Sequence, residues 1–126
     1  TVTLGRLRLQ SWVVENMQLL QNGRIAVCAI PADIQERLGL ADEDMGNLSG
    51  FLRSIEGVKM SATVRQDKEG HTGFSVRAVP GYDAAAVCEK LGGGGHKGAA
   101  GAGMMDVTME EAMQALLAAL PDLSEC

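Results

Sequence analysis

Aromatic side chains are nearly absent from this 126-residue chain: Trp12, Phe51, Phe74 and Tyr82 are the whole set. The core must therefore be built from Leu, Val, Ile, Ala and Met, and a broad aromatic platform for stacking nucleic-acid bases is not available. Cysteine is scarce as well, and Cys28, Cys88 and Cys126 are odd in number with no C-x-x-C spacing. A disulfide framework and a cysteine zinc site are both unsupported, and two of the three sit inside apolar runs as small buried hydrophobes would. Histidine occurs only as His71 and His96, with no adjacent pair and no clustered Asp/His ligand pattern, so no metal site is expected. Positive charge is in deficit: 11 Lys and Arg against 16 Asp and Glu leave a net charge of −5. A protein that grips long duplex through many phosphate contacts is thereby excluded, whereas one local basic pocket for a small anion is not. No apolar run reaches the ~18 residues of a membrane span, and no charged-then-apolar leader opens the chain, so a cytoplasmic protein is expected. The first residue, Thr1, falls within an amphipathic pattern, which reads as a piece of a longer protein.

What is present fits a single α/β (α+β) domain over residues 1–126. Leu4, Leu7, Trp12 and Val13 or Val14 sit at loose helical spacing, although Leu7 and Leu9 also alternate. Gln21-Asn22-Gly23 is a tight-turn signal between arms near 15–20 and 24–30, which predicts a β-hairpin. Pro31 opens a helix carrying Ile34 and Leu38 on one face before Gly39 stops it. Acidic residues in Ala41-Asp42-Glu43-Asp44 precede a helix over about 46–55 whose inward face is Leu48, Phe51, Leu52 and Ile55; they read as caps and solvated loop rather than a metal site.

A second hairpin follows, with Val58, Met60, Ala62 and Val64 alternating against Lys59, Ser61, Thr63 and Arg65. After Asp67-Lys68-Glu69-Gly70, a turn in which an exposed His71 also sits beside Gly70, Phe74 and Val76 lie on the face opposite Ser75, Arg77 and Val79. An Ala-rich helix over 82–91 is capped by Asp83 or its neighbour, a last strand lies in "AGAGMMDV", and Thr108 with Glu111 forms the capping box of a terminal helix. That helix buries Met109, Ala112, Met113, Leu116, Leu117 and Leu120. The sum is a mixed sheet of about five strands with two hairpins and helices on one or both faces.

The unusual stretch is "LGGGGHKGAAGAG", residues 91–103, which holds seven of the sixteen glycines. Glycine costs about 0.5–1 kcal/mol relative to alanine in regular structure, so this density needs a reason. A helix C-terminus explains one of them. Four in a row, followed by His96, Lys97 and the small residues 98–101, suggest backbone N–H groups converging on an anion, reinforced if "HKGAAG" starts a helical turn. His96 and Lys97 would add side-chain donors. The stretch is not a phosphate-binding P-loop, having no G-K-[ST] ending, and no strand leads into it as a dinucleotide fingerprint requires.

"GGGGHKGAAG" resembles the G-G-G-H-x-x-A-A-G signature of the DHH-associated domain, the C-terminal substrate-binding module of DHH phosphoesterases. "LRSIEGVKMSATVR", "GFSVRAV" and "YDAAAVCEKLGGGGHKGAAG" follow the order of its oligoribonuclease and phosphoadenosine-phosphate phosphatase members. The resemblance implies that Gly93, Gly94, Gly95 and His96, with Lys97, Ala99, Ala100 and Gly101, hold a nucleotide phosphate. It also implies that Arg77 contacts phosphate, with Arg65 a weaker candidate. Ala78 departs from the family's S-x-R-S strand, where a serine follows the arginine.

By the same resemblance, two divalent ions, typically manganese, and the Asp-His-His motif belong to a separate N-terminal domain absent from this sequence. The chain is then expected to bind no cofactor itself and to bind short RNA or DNA oligonucleotides or nucleotide phosphates without cutting them. Its partner would be that N-terminal DHH domain, with a homodimer possible for the whole protein. The competing expectation is a non-enzymatic module that senses a small nucleotide or cyclic dinucleotide.

Overall fold

The computed structural model describes residues 1–125. Helix α1 (Leu4–Asn16) leads into strands β1 (Gln18–Leu20) and β2 (Ile25–Ile30). Helix α2 (Ile34–Arg37), a 3-10 turn at Asp42–Asp44 and helix α3 (Leu48–Arg53) connect β2 to β3 (Met60–Gln66). Strand β4 (His71–Ala78), helix α4 (Ala84–Lys90), strands β5 (Gly94–Gly95) and β6 (Ala99–Met105) and helix α5 (Met109–Ala119) complete the chain. The six strands form one sheet in the order β1-β2-β3-β4-β6-β5. Only β2 and β3 run parallel, because only there does a helical crossover join neighbouring strands.

Alternation along the strands divides the core in two. One face sends Ile25, Val27, Met60, Ala62, Val64, Phe74 and Val76 against α4 and α5. The other sends Ala26, Cys28 and Ile30 against Leu9 and Val13 of α1, Ile34 of α2 and Leu48 and Leu52 of α3. Helices thus cover both faces, and each fully buried Leu or Ile in these layers contributes about 1.5–3 kcal/mol.

The strand-like alternation of residues 58–65 predicts one wet face, yet Ser61 and Thr63 are buried as well. Helix α3 lies over them: the Ser61 hydroxyl donates to the Ser49 carbonyl at 2.5 Å, and the Ser49 and Ser75 hydroxyls pair at 2.9 Å. All three serine hydroxyls have partners, which offsets the desolvation cost of the buried polar seam.

Several expectations shift in detail. The sheet has six strands where about five were expected, because the glycine run itself contributes β5. The acidic cluster forms its own 3-10 turn, and α3 starts later, at Leu48, behind Asn47 with φ +54°. Asp44 is not a solvated cap. It is buried, accepts the Thr3 hydroxyl at 2.5 Å and the Ala41 N–H at 3.0 Å, and so ties the N-terminus of α1 to the turn. Leu117 of α5 is 45% exposed rather than buried, since the inward stripe runs through Ala112, Leu116 and Ala119. The capping box of Thr108 and Glu111 and the Asp83 cap of α4 form as the spacing predicts. Cys28 and Cys88 are buried free thiols, and burial pushes Cys28 up to about 11, which keeps it a neutral hydrophobe. No helix among the described residues is long and apolar enough to cross a membrane.

Candidate functional site

Beyond α3 the sheet continues as β4, β6 and β5. Opposed residues share a face, so the register fixes what this extension presents. Arg77 stands opposite Ala99, Ser75 opposite Gly101 and then Gly94, and Gly73 opposite Gly103. Arg65 on β3 joins the same face through its pairing with Gly73. Every residue that β5 and β6 contribute to these three rows is glycine or alanine, which leaves a floor almost without side chains. Arg77 stands at one end and Arg65 at the other, about 13 Å apart along the strand at ~3.3 Å per residue.

The four consecutive glycines serve different purposes. Gly92, at φ +86°, donates its N–H to the Glu89 carbonyl while Gly93 donates to the Cys88 carbonyl, the paired bonds of a Schellman ending to α4. Gly93 and Gly95 lie against β6: a Cβ on Gly93 would come within 2.1 Å of the Gly101 carbonyl oxygen, and one on Gly95 within 2.7 Å of the Ala100 Cα. A Cβ on Gly94 meets nothing within 4 Å. Folding accounts for Gly92, Gly93 and Gly95; Gly94 alone faces the open floor with no internal reason to be bare.

No helical turn forms at "HKGAAG". His96 and Ala99 exchange both backbone hydrogen bonds, at 2.9 and 3.2 Å, so Lys97-Gly98 is the two-residue turn of a hairpin and residues 99–105 are strand. The expected cradle of N–H groups is not assembled from these donors, because Gly92, Gly93, His96 and Ala99 all spend theirs within the fold. Side chains and bare backbone replace it. The hairpin tip is clamped from both sides: the Lys97 carbonyl accepts the Ala84 N–H at 2.7 Å, and the Gly98 carbonyl accepts the Ala78 N–H at 3.1 Å. His96 and Lys97 are therefore exposed side chains on a fixed backbone.

The signature residues do not all meet. Arg77, Gly94, His96, Lys97, Ala99 and Gly101 gather at one end of the open face. Ala100 does not: it pairs with Val76, is 8% exposed and packs in the α4/α5 core, because a contiguous motif laid on a strand sends alternate residues to opposite faces. Gly93 and Gly95 act through backbone packing on that same core side. Ala78 is also in that core, where a serine hydroxyl would need a buried partner, so the departure from the family strand falls off the floor itself.

Two clefts flank α3. One of about 250 Å³ includes Asn47, Thr63, Arg65, Gly73 and Ser75. A larger one of about 550 Å³ includes Arg53, Val79, Pro80, Tyr82 and Lys97. The side chains of Arg53, Arg65, Arg77, His96 and Lys97, like those of Arg8, Lys59 and Lys90, have no ion pair or hydrogen bond among the described residues, while Arg37, Lys68 and His71 pair with Asp33, Glu36 and Asp67. In a chain of net charge −5, Arg65, Arg77 and Lys97 bring positive charge to the edges of this face.

One cluster escaped the sequence reading. Asp67, Glu69 and His71, alternating in the β3–β4 turn, bring ligand atoms within 4.8 Å of one another. Asp67 already accepts the backbone N–H groups of Glu69 and His71 at 2.8 and 3.0 Å, and its second oxygen meets His71 Nδ1 at 2.9 Å. These bonds hold its carboxyl below the usual range. His71 is exposed, as expected, but begins β4 rather than lying in the turn; it is six residues, or ~20 Å, from Arg77.

A mixed sheet layered by helices, ending in a floor of small residues with Arg65, Arg77 and Lys97 at its edges, defines a small α+β domain. Comparison with known proteins gives the family: the DHHA1 domain matches residues 22–124, and the chain belongs to it. The bifunctional oligoribonuclease and PAP phosphatase NrnA of Thermus thermophilus is 31% identical over 113 residues, which are 90% of this chain and 33% of that protein. The cyclic-di-AMP phosphodiesterase PdeA of Listeria monocytogenes is 28% identical over 116 residues, 88% of this chain and 16% of that one. The crystal structure of an exopolyphosphatase-related protein from Bacteroides fragilis superposes with a TM-score of 0.82 at 28% identity, covering 94% of this chain and 35% of that one. The chain thus spans a third or less of the length of these curated relatives.

Proposed function

We propose that this domain is the substrate-gripping half of a metal-dependent DHH phosphoesterase acting on short oligonucleotides or nucleotide phosphates, and that alone it binds its ligand without hydrolysing it. The observation that carries the reading is Gly94: the fold does not require a glycine there, yet the position lies bare on the floor, one row in from the row of Arg77, Ala99 and His96. A phosphate resting on that floor would take charge-assisted hydrogen bonds from the Arg77 guanidinium and the Lys97 ammonium, with the His96 imidazole as a further donor. The missing Cβ lets the ligand approach backbone closely. The names of the relatives support a nucleotide or oligonucleotide ligand.

Hydrolysis needs a nucleophile, and two divalent ions would supply an activated water. The donors on this floor are cations, backbone groups and a single imidazole, a set that does not fit a pair of divalent ions. The ions and their carboxylate and histidine ligands are assigned to a domain outside this sequence, with the floor closing the other side of the cleft.

The test is affinity for a 5′-phosphorylated diadenylate, followed by NMR titration of the 126-residue chain. Arg77→Ala and His96→Ala are each expected to weaken binding about tenfold, the scale of one lost charge-assisted contact. Wild-type affinity in both variants contradicts the assignment.

A further inference from the structure

Arg53 closes α3, and its basic side chain lines the 550 Å³ cleft with Lys97. The cleft starts where the floor ends: Ala78 and Val79 follow Arg77 directly, and Gly98 and Lys97 lie one step from His96 around the hairpin. Its walls are Val79, Pro80 and the half-buried Tyr82, and its one carboxylate, Asp83, already accepts the Ala86 N–H at 3.1 Å as the cap of α4. An apolar wall with two cations at the rim suits a nucleoside carrying one phosphate, and the volume falls in the range of about 300–1,000 Å³ usual for small-ligand sites.

Helix α3 is fixed over the same face as Arg77 through the Ser49–Ser75 and Ser61–Ser49 bonds, so the two anion sites open side by side rather than on opposite surfaces. Lys97 stands between them. Arg53 has no acidic partner among the described residues, although acids outnumber bases in the chain.

Resting on the proposed phosphate grip, we infer that the Arg53–Lys97 cleft is a second nucleotide subsite, and that Arg53 makes the domain prefer an oligonucleotide of two or more units over a mononucleotide. The first phosphate sits on the glycine floor. The next nucleotide unit passes the hairpin tip and places its phosphate against Arg53, with its base on the Pro80 and Tyr82 side.

Arg53→Gln keeps a straight-chain helix former at an exposed position, so folding is preserved. Titrated into the 126-residue chain, 5′-phosphorylated diadenylate should bind this variant about five- to tenfold more weakly than wild type, the scale of one charge-assisted contact, whereas adenosine 5′-monophosphate binds both alike. Equal affinity for diadenylate in variant and wild type overturns the subsite, and so does an equal loss for both ligands. Arg77→Ala, run in parallel, separates the two ideas. If it weakens both ligands while Arg53→Gln weakens neither, the grip stands and the second subsite falls; if Arg77→Ala has no effect on either ligand, both fall.

Discussion

Gly94 and Gly93 are neighbours with opposite obligations. A methyl group on Gly93 collides with backbone that cannot withdraw, so Gly93→Ala is expected to destabilise the fold by about 1–3 kcal/mol or more, read as a lower denaturation midpoint. Gly94→Ala meets open space and should leave the midpoint within ~0.5 kcal/mol while weakening diadenylate binding severalfold. If Gly94→Ala costs as much stability as Gly93→Ala, the division of labour is wrong. Asp44 offers a second residue-scale test. Hydrogen bonds from the Thr3 hydroxyl and the Ala41 N–H, with the Arg6 charge, hold its carboxyl below the usual range. A carboxyl depressed in the folded state contributes stability that is present above the unfolded pKa of ~4 and lost as pH falls through the folded value. Stability should accordingly decline on acidification below about pH 4, and Asp44→Asn should lower stability at pH 7 while flattening that acid limb; an unchanged pH profile in the variant would show that other carboxyls govern it.

At the scale of elements, the hairpins were legible and the glycine strand was not. Gln21-Asn22-Gly23 and the alternation of residues 58–78 announce β1–β2 and β3–β4, since period-2 hydrophobicity needs side chains of contrasting polarity. Gly94-Gly95 has no side chains and hence no period, so β5 could be found only from its pairing with β6. Ala100 was misplaced for a related reason: a linear signature carries no face until the strand beneath it is known. Ser61 and Thr63 look solvent-facing in the sequence because nothing there says that α3 lies over them. The Asp67-x-Glu69-x-His71 alternation was visible, and only the turn geometry drew its ligand atoms together. The capping box of α5 was fully readable, and Thr108→Ala should cost about 1 kcal/mol, measured by chemical denaturation. A loss below ~0.3 kcal/mol would mean that packing of Ala112 and Leu116 holds the helix without its cap.

Across the whole molecule, an acidic chain leaves one stretch of sheet bare of helices, with Arg65, Arg77 and Lys97 at its edges. That asymmetry suits a domain that presents a ligand to something facing it. Among the described residues the candidate ligand cluster, Asp67, Glu69 and His71, lies in the β3–β4 turn, about 20 Å along the strand from Arg77. With manganese added, the 126-residue chain is expected to leave 5′-phosphorylated diadenylate intact over a long incubation, checked by chromatography of the products; steady release of adenosine monophosphate would place catalytic machinery within these residues.

The most direct test of the central claim is a titration of isotope-labelled chain with 5′-phosphorylated diadenylate, with every amide resonance followed. Shifts concentrated at Arg77, Gly94, His96, Lys97 and Gly101, and lost together in the Arg77→Ala variant, are the predicted result. A saturable shift pattern centred on another surface, or no shift on this floor at millimolar ligand, would contradict it.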